Sequence, residues 1–350
     1  MKRREFLSAA GVAGVAGLAG CTGFTGGGEP TGTLTVATYP SFVDDEEAAG
    51  AWLKSAFESE YDATVEFETP DSSLNYYIRR AQEDVPIEAD VYVGLNTDQL
   101  IRLDSELEEP LFAESQGDLA NGDAVKQRLQ FDPTGRAVPY DTGYISLVYD
   151  ENEVDEPPTF DALLDPAYED TLIVQNAQTA ATGRAFLLWS IHTLGDGWLD
   201  YWRELKANGI TVVGSWSDSY NAYLNGEKPI VVSYSTDQVY ASAQGQDLSK
   251  HQIGFLNDQG YANPEGMARF ASAGNAELAT AFMDFMLTPE AQGEIATRNV
   301  QFPAIDDADL PEDFAKYAKE PPEPVTFTYE ELKGNVNEWV DTWAREIAQG

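Results

Sequence analysis

The sequence predicts an α/β protein of two lobes, each a mostly parallel sheet flanked by helices, with a cleft between them. Three observations carry that expectation. Residues 34–95 read strand, helix, strand, helix, strand, the order that builds a parallel sheet with right-handed crossovers. A second alternating run follows from residue 144 to 234. The chain has 350 residues, 43% of them hydrophobic, which suffices for two domains and a sizeable core.

Taken in order, Leu34-Thr35-Val36-Ala37 alternates and predicts the first strand. From Asp44 to Tyr61, apolar residues at Ala49, Trp52, Leu53, Ala56 and Phe57 have the spacing of an amphipathic helix. Val65-Glu66-Phe67 predicts a second strand, Leu74 to Gln82 a helix, and Asp90 to Leu95 a buried third strand. Tyr144 to Tyr149 and Thr171 to Val174 are strand-like, and Ala185 to Leu194 and Trp198 to Asn208 are helical. Strands return at Ile210 to Val213 and Ile230 to Tyr234. A helix pair is expected at Ala276 to Met286 and Pro289 to Thr297. One last helix, Tyr329 to Ile347, carries Leu332, Val336, Trp339, Val340, Trp343 and Ile347 on one face.

Sixty Asp and Glu oppose 21 Lys and Arg, a formal net charge of −39. Phosphate backbones and anionic lipid heads repel such a chain, so nucleic-acid binding is excluded as a function class. Self-repulsion on this scale is tolerable where salt shortens the Debye length to a few ångströms, which points to a high-salt organism. The single cysteine excludes a disulfide framework and a CxxC metal site. The two histidines, His192 and His251, form no HExxH or His/Cys cluster, so no metal centre and no cofactor are expected.

The first twenty residues read as an address. Lys2-Arg3-Arg4 precedes an apolar stretch from Leu7 to Leu18, too short to span a bilayer of about 30 Å. The arginine pair with Glu5-Phe6-Leu7 resembles a twin-arginine export signal. Leu18-Ala19-Gly20-Cys21 resembles a lipobox, which makes Cys21 the lipidated first residue of the mature chain. A buried helix here would have to absorb repeated glycines at about 1 kcal/mol each. Residues 21–32 are Gly/Thr-rich and read as a flexible tether. The folded part is therefore expected outside the cell membrane, anchored to its outer face.

Several segments carry a resemblance. They are Ala37-Thr38-Tyr39-Pro40-Ser41-Phe42, Ala89 to Leu95, Val138-Pro139-Tyr140-Asp141-Thr142-Gly143-Tyr144, and Thr182-Gly183 with Phe186-Leu187-Leu188-Trp189. Ser215-Trp216-Ser217-Asp218-Ser219-Tyr220, Tyr223 to Glu227, Val232 to Thr236 and the Trp339/Trp343 helix complete them. In order, from about residue 33 to 346, the chain resembles the thiamine-binding proteins of ABC importers. The resemblance implies a type II periplasmic-binding-protein fold, with residues 33–140 plus 264–305 as lobe 1 and 141–263 plus 306–350 as lobe 2. It implies capture of thiamine or a phosphate ester between the lobes, delivery to a membrane permease driven by an ATPase, a monomer, and no catalysis.

Thiamine joins a flat aminopyrimidine to a permanently cationic thiazolium with a hydroxyethyl tail. A site for it needs aromatic faces for stacking and cation–π contact, and a carboxylate to accept from the exocyclic amine. The resemblance assigns Tyr39 as a stacking tyrosine, Asp71 as the carboxylate, Trp216 as an aromatic wall, and Tyr234 and Tyr240 as cleft tyrosines. Thr182 and Gly183 match a loop that offers N–H groups to the tail at a helix N-terminus. Read without it, Asp71 is as well explained as a helix N-cap and Tyr234 as a packed strand residue. The chain departs from the family pattern at Val300, where an aromatic residue is expected, and at Ala180 and Ala181, where hydroxyl side chains are expected. With Asp237 adding negative charge near Tyr240, these departures favour the free cation over its phosphate esters.

Two other readings compete. A hydrolase needs GxSxG or a nucleophile with a histidine in reach, and neither histidine has that setting. A binding protein for ferric iron or for a polyamine is the alternative; adjacent tyrosines exist at Tyr76-Tyr77, on a helix predicted to lie at the lobe surface.

Overall fold

The computed structural model describes residues 30–348, and the export signal, Cys21 and most of the tether lie outside them. Strand β1 (Gly32–Ala37) and helix α1 (Ala49–Glu60) follow the two predicted periodicities. The helix starts later than its acidic lead-in suggested. The Glu47 N–H donates to the Asp45 carboxylate at 2.8 Å, a local turn that competes with helix. Strand β2 (Ala63–Glu68) pairs in parallel with β1. Helix α2 (Leu74–Gln82) leads to β3 (Val91–Leu95), which takes the other side of β1. Helix α3 (Thr97–Glu106) follows. Phe57 of α1 meets Phe282 edge-on at 5.2 Å beneath this sheet.

Strand β4 (Ala137–Tyr149) is buried along its whole length and is twice as long as the predicted Tyr144–Tyr149. Pro139, Asp141 and Gly143 hid its first half, and its pairing shifts register between Pro139 and Asp141. There follow β5 (Leu172–Gln175), α4 (Ala181–Leu194), α5 (Trp198–Ala207), β6 (Thr211–Val213), α6 (Trp216–Leu224), β7 (Ile230–Tyr234), α7 (Asp237–Ala243) and β8 (Gln252–Gly254). Strand β9 (Gln259–Arg269) then runs antiparallel to β4 from Ile145↔Tyr261 to Ala137↔Ala268, and to β3 on its other edge. The sheet order is β2-β1-β3-β9-β4-β7-β5-β6. The parallel groups β2-β1-β3 and β7-β5-β6 stand at its two ends, and β4 and β9 cross between them.

The predicted helix pair appears as α8 (Ala276–Phe285) and α9 (Pro289–Arg298). Strand β10 (Phe302–Pro303) pairs with β4, α10 (Glu312–Tyr317) packs on α7, and β11 (Glu323–Val325) pairs with β9. The single C-terminal helix expected from Tyr329 to Ile347 is instead two. Helix α11 (Tyr329–Leu332) stops, Gly334 turns the chain at φ +83°, and α12 (Val336–Trp343) starts on a new axis, passing into a π turn at Ala344–Ala348. A left-handed residue cannot continue a right-handed helix, and glycine takes that conformation without penalty.

The break lets this segment strap two parts of the molecule. The Tyr329 hydroxyl donates to Asp104 Oδ2 at 2.6 Å, where Asp104 also holds Arg136 through two bonds of 2.7 and 2.8 Å. Beyond Gly334, Trp343 packs edge-on against Trp202 of α5 at 5.4 Å, and Lys206 donates to the Ile347 carbonyl at 2.8 Å. One apolar cluster runs from Tyr77, Tyr92 and Phe270 through Phe186 and Trp202 to Trp343, so the core is continuous across the sheet. Among the described residues no helix is long and apolar enough to cross a membrane.

Candidate functional site

A cavity of about 510 Å³ opens between the two parallel groups. It sits beyond the carboxyl ends of β1 and β7, where open α/β sheets bind ligands. Tyr39 enters it two residues after β1. Its ring lies over Gly94 (φ +100°), where a side-chain Cβ would come within 2.6 Å of the ring. Tyr234, at the end of β7, lies over Gly143 in the same way, where a Cβ would stand 2.4 Å from its ring. Both tyrosines reach the cavity only because β3 and β4 present no side chain beneath them.

The floor is acidic. Asp141 of β4 and Glu265 of β9 are direct partners across the antiparallel pair. Like charges directly opposed are destabilising in a sheet, and here Asp141 is fully buried and Glu265 half-buried at the cavity floor. Glu265 Oε2 accepts from the Tyr140 hydroxyl at 2.7 Å and from the Tyr39 hydroxyl at 3.0 Å. Asn299 donates to Asp141 Oδ2 at 2.7 Å, and Asp141 Oδ1 has no partner among the described residues. Burial, and then the charge of Glu265, hold the Asp141 carboxyl well above the usual carboxylate range. Burial raises Glu265 as well, opposed by its two phenol hydrogen bonds. No lysine or arginine is among the groups that act on either carboxyl. A buried pair of this kind keeps a proton or takes a cation.

The wall opposite is aromatic. Trp216 is the first residue of α6, whose N-terminus is closed by the Ser215 hydroxyl accepting from the Asp218 N–H at 3.1 Å. Its indole stacks on Tyr220 at 5.0 Å and 16° and donates to Ser233 Oγ at 3.0 Å. The ring is 37% exposed, so its outer face is free for a flat ligand. Tyr240 of α7 is 44% exposed and lines the same cavity.

Five of the residues singled out in the sequence thus line one cavity: Tyr39, Thr182, Trp216, Tyr234 and Tyr240. Thr182 and Gly183 lie inside the first turn of α4, which begins at Ala181, rather than in a loop ahead of it. The Thr182 hydroxyl is buried without a partner, and Gly183 faces inward against the Gln175 carbonyl. Asp71 does not line the cavity. It sits exposed on the turn before α2, and Ser73, not Asp71, occupies the N-cap position there. Tyr77 is buried, with its hydroxyl on Glu68, rather than displayed at a lobe surface, and neither Tyr76 nor Tyr77 lines the cavity.

Glu265 is absent from the residues that the sequence singles out, and Tyr140, Asp141 and Asn299 stand beside residues it does single out without being assigned a role. Tyr140-Asp141 ahead of Gly143 was the available signal; Glu265 had none, being one of 60 acids.

Val300 lines the cavity with φ +52°, a left-handed conformation that a β-branched side chain strongly resists. Val300→Gly is expected to raise stability by about 1 kcal/mol, the relieved strain exceeding the added chain entropy. Chemical denaturation checks it, and an unchanged or lower midpoint would contradict the strain.

Residues 52–322 match the family described as bacterial extracellular solute-binding protein. The thiamine-binding periplasmic protein of Salmonella typhimurium is 30% identical over 321 residues, covering 90% of this chain and 94% of that one. Among solved structures, a periplasmic thiamin binding protein superposes with TM-score 0.77 at 29% identity, covering 90% of this chain and 96% of its own. The apo ferric ion-binding protein A of Pasteurella haemolytica, at 14% identity and TM-score 0.71, covers 90% of this chain and 97% of its own and shares the fold. The cavity at the strand ends, the crossing strands and these likenesses agree: the chain belongs to the bacterial extracellular solute-binding protein family and has the type II periplasmic-binding fold.

Proposed function

We propose that this protein captures thiamine outside the cell membrane and delivers it to the permease of an ABC importer. The observation that carries the reading is a cavity with aromatic walls above the half-buried Glu265 and, beneath it, the buried Asp141, a carboxyl pair that lacks a basic partner. A flat organic cation fits both features. Its ring stacks on Trp216 or Tyr39, its positive charge offsets the acidic pair, and an exocyclic amine finds a carboxylate acceptor. The relatives named for thiamine binding support the same ligand. The proposal includes twin-arginine export, lipidation of Cys21 and a monomeric working form.

Tryptophan fluorescence of the purified protein in molar KCl, titrated with thiamine, tests it. Saturable quenching at one equivalent is the expected result. In Trp216→Ala the quenching is lost and affinity falls about tenfold, the scale of one aromatic face on a cation. Stability changes little, because Trp216 is partly exposed and the Ser215 cap stays in place. No response to thiamine, together with a visible charge-transfer band on adding ferric iron, would reassign the cavity's tyrosines and carboxylates to iron.

A further inference from the structure

Beside Tyr240 the cavity holds a third acidic group with a partner of its own. Asp237, the first residue of α7, lines the cavity although it is only 6% exposed. Its Oδ2 stands 2.7 Å from Nδ1 of His251, which is 2% exposed and lies just before β8. Burial, and then the charge of Asp237, push the Tyr220 phenol up, which places its hydroxyl close to this carboxylate.

We propose that Asp237 and His251 form the charge selector of the cavity, His251 positioning the Asp237 carboxylate so that ligands with an anionic tail are rejected. The proposal rests on the thiamine reading and adds which form of that ligand class is admitted.

Glu265 on the cavity floor also disfavours an anion, but other parts of the lining suit one. The first-turn N–H groups of α4 and the unpartnered Thr182 hydroxyl both suit an anion. Arg298 also lines the cavity, but its guanidinium is taken up by Glu294 at 2.7 Å and the Glu47 carbonyl at 2.8 Å. The charge at Asp237 therefore joins that of Glu265 in opposing a phosphate that these groups would otherwise hold.

His251 fixes where that carboxylate sits: its ring, donating from Nδ1, holds one Asp237 oxygen at 2.7 Å, with both side chains almost wholly buried. On its far side lies a second cavity of about 220 Å³. The groups facing His251 there are Tyr223 from α6, Asp150 and Glu153 after β4, Lys228 before β7, and Asp247 and Lys250 on the turn that precedes it. Among the described residues the partner that the His251 ring holds by a hydrogen bond is Asp237.

The test measures the affinities of thiamine and thiamine monophosphate for the full protein, wild type, Asp237→Asn, His251→Gln and His251→Leu, at pH 8 and fixed KCl. Wild type is expected to prefer thiamine. Asp237→Asn narrows the thiamine-to-monophosphate ratio at least tenfold. His251→Gln still donates to the carboxylate and keeps the wild-type ratio, whereas His251→Leu has no donor and narrows it. An unchanged ratio in Asp237→Asn, or a His251→Leu ratio equal to that of wild type, overturns the selector. Should His251→Leu not fold, the near-isosteric Asp237→Asn decides the matter by its ratio. A wild-type protein that binds neither compound overturns the thiamine reading and the selector together; thiamine binding with an unchanged ratio overturns the selector alone.

Discussion

Glu265→Gln is expected to weaken thiamine binding about 30- to 150-fold while making the empty protein more stable. The loss corresponds to about 2–3 kcal/mol, the scale of a buried interaction with a charged group. The amide still accepts from Tyr140 and Tyr39, so the wall keeps its shape. What disappears is one of two like charges held face to face across β4 and β9. Affinity and stability thus move in opposite directions, which no simple misfolding produces.

The pH dependence has a sign as well. Both carboxyls are raised in the folded protein, so above the ordinary carboxylate range the empty fold holds a proton that the unfolded chain has released. Stability of the empty protein therefore falls as pH rises through the window between the ordinary and the raised values. Cation affinity rises through the same window, because the ligand needs the ionised pair, and binding releases protons. Calorimetry in two buffers of different ionisation enthalpy, with thermal melts across pH at fixed salt, checks both signs. Proton uptake on binding would refute the account of the acidic floor.

Trp343→Ala is expected to cost about 3–5 kcal/mol of stability, the usual loss for emptying a large buried aromatic site. Trp343 is fully buried against Trp202, whose own indole N–H donates to Ser190 Oγ at 2.8 Å. Removing it empties the apolar contact between α12 and α5 and leaves that end of the strap held by the polar contacts of Lys206 with the Ile347 carbonyl and Arg203 with Glu346. Ligand affinity measured well below the melting point should change less than about threefold, because Trp343 is not part of the cavity wall. A loss under 1 kcal/mol would mean that the C-terminal segment does not unfold together with the rest.

The local periodicities were legible. Leu74–Gln82 and Ile230–Tyr234 come out with the bounds their patterns predicted, because helix and strand periods are properties of adjacent residues. The aromatic half of the site was legible too: Tyr39, Trp216 and Tyr234 stand at strand ends or the first turn after them, where an α/β sheet displays its ligand contacts. Glu265 was not legible, since its meaning comes from lying opposite Asp141 in a register that joins distant strands. Asp71, assigned from the resemblance, is exposed on the turn before α2 and is not among the residues that line the cavity, a placement that adjacent residues do not encode. The C-terminal helix was misread because its apolar stripe continues across Gly334, while the backbone there reverses hand.

The pairing of β9 between β3 and β4 has a consequence for how the chain reaches this state. Until residues 259–269 exist, β3 and β4 have no strand between them, although everything before residue 259 has already been synthesised. Closing so long a loop is entropically slow, and topologies dominated by distant contacts fold late. A nascent chain short of that point exposes two unpaired strand edges, the surfaces most prone to associate wrongly. The order of synthesis therefore leaves folding of the whole molecule waiting on its last quarter, and a cell gains by keeping the chain in one compartment until that quarter has arrived.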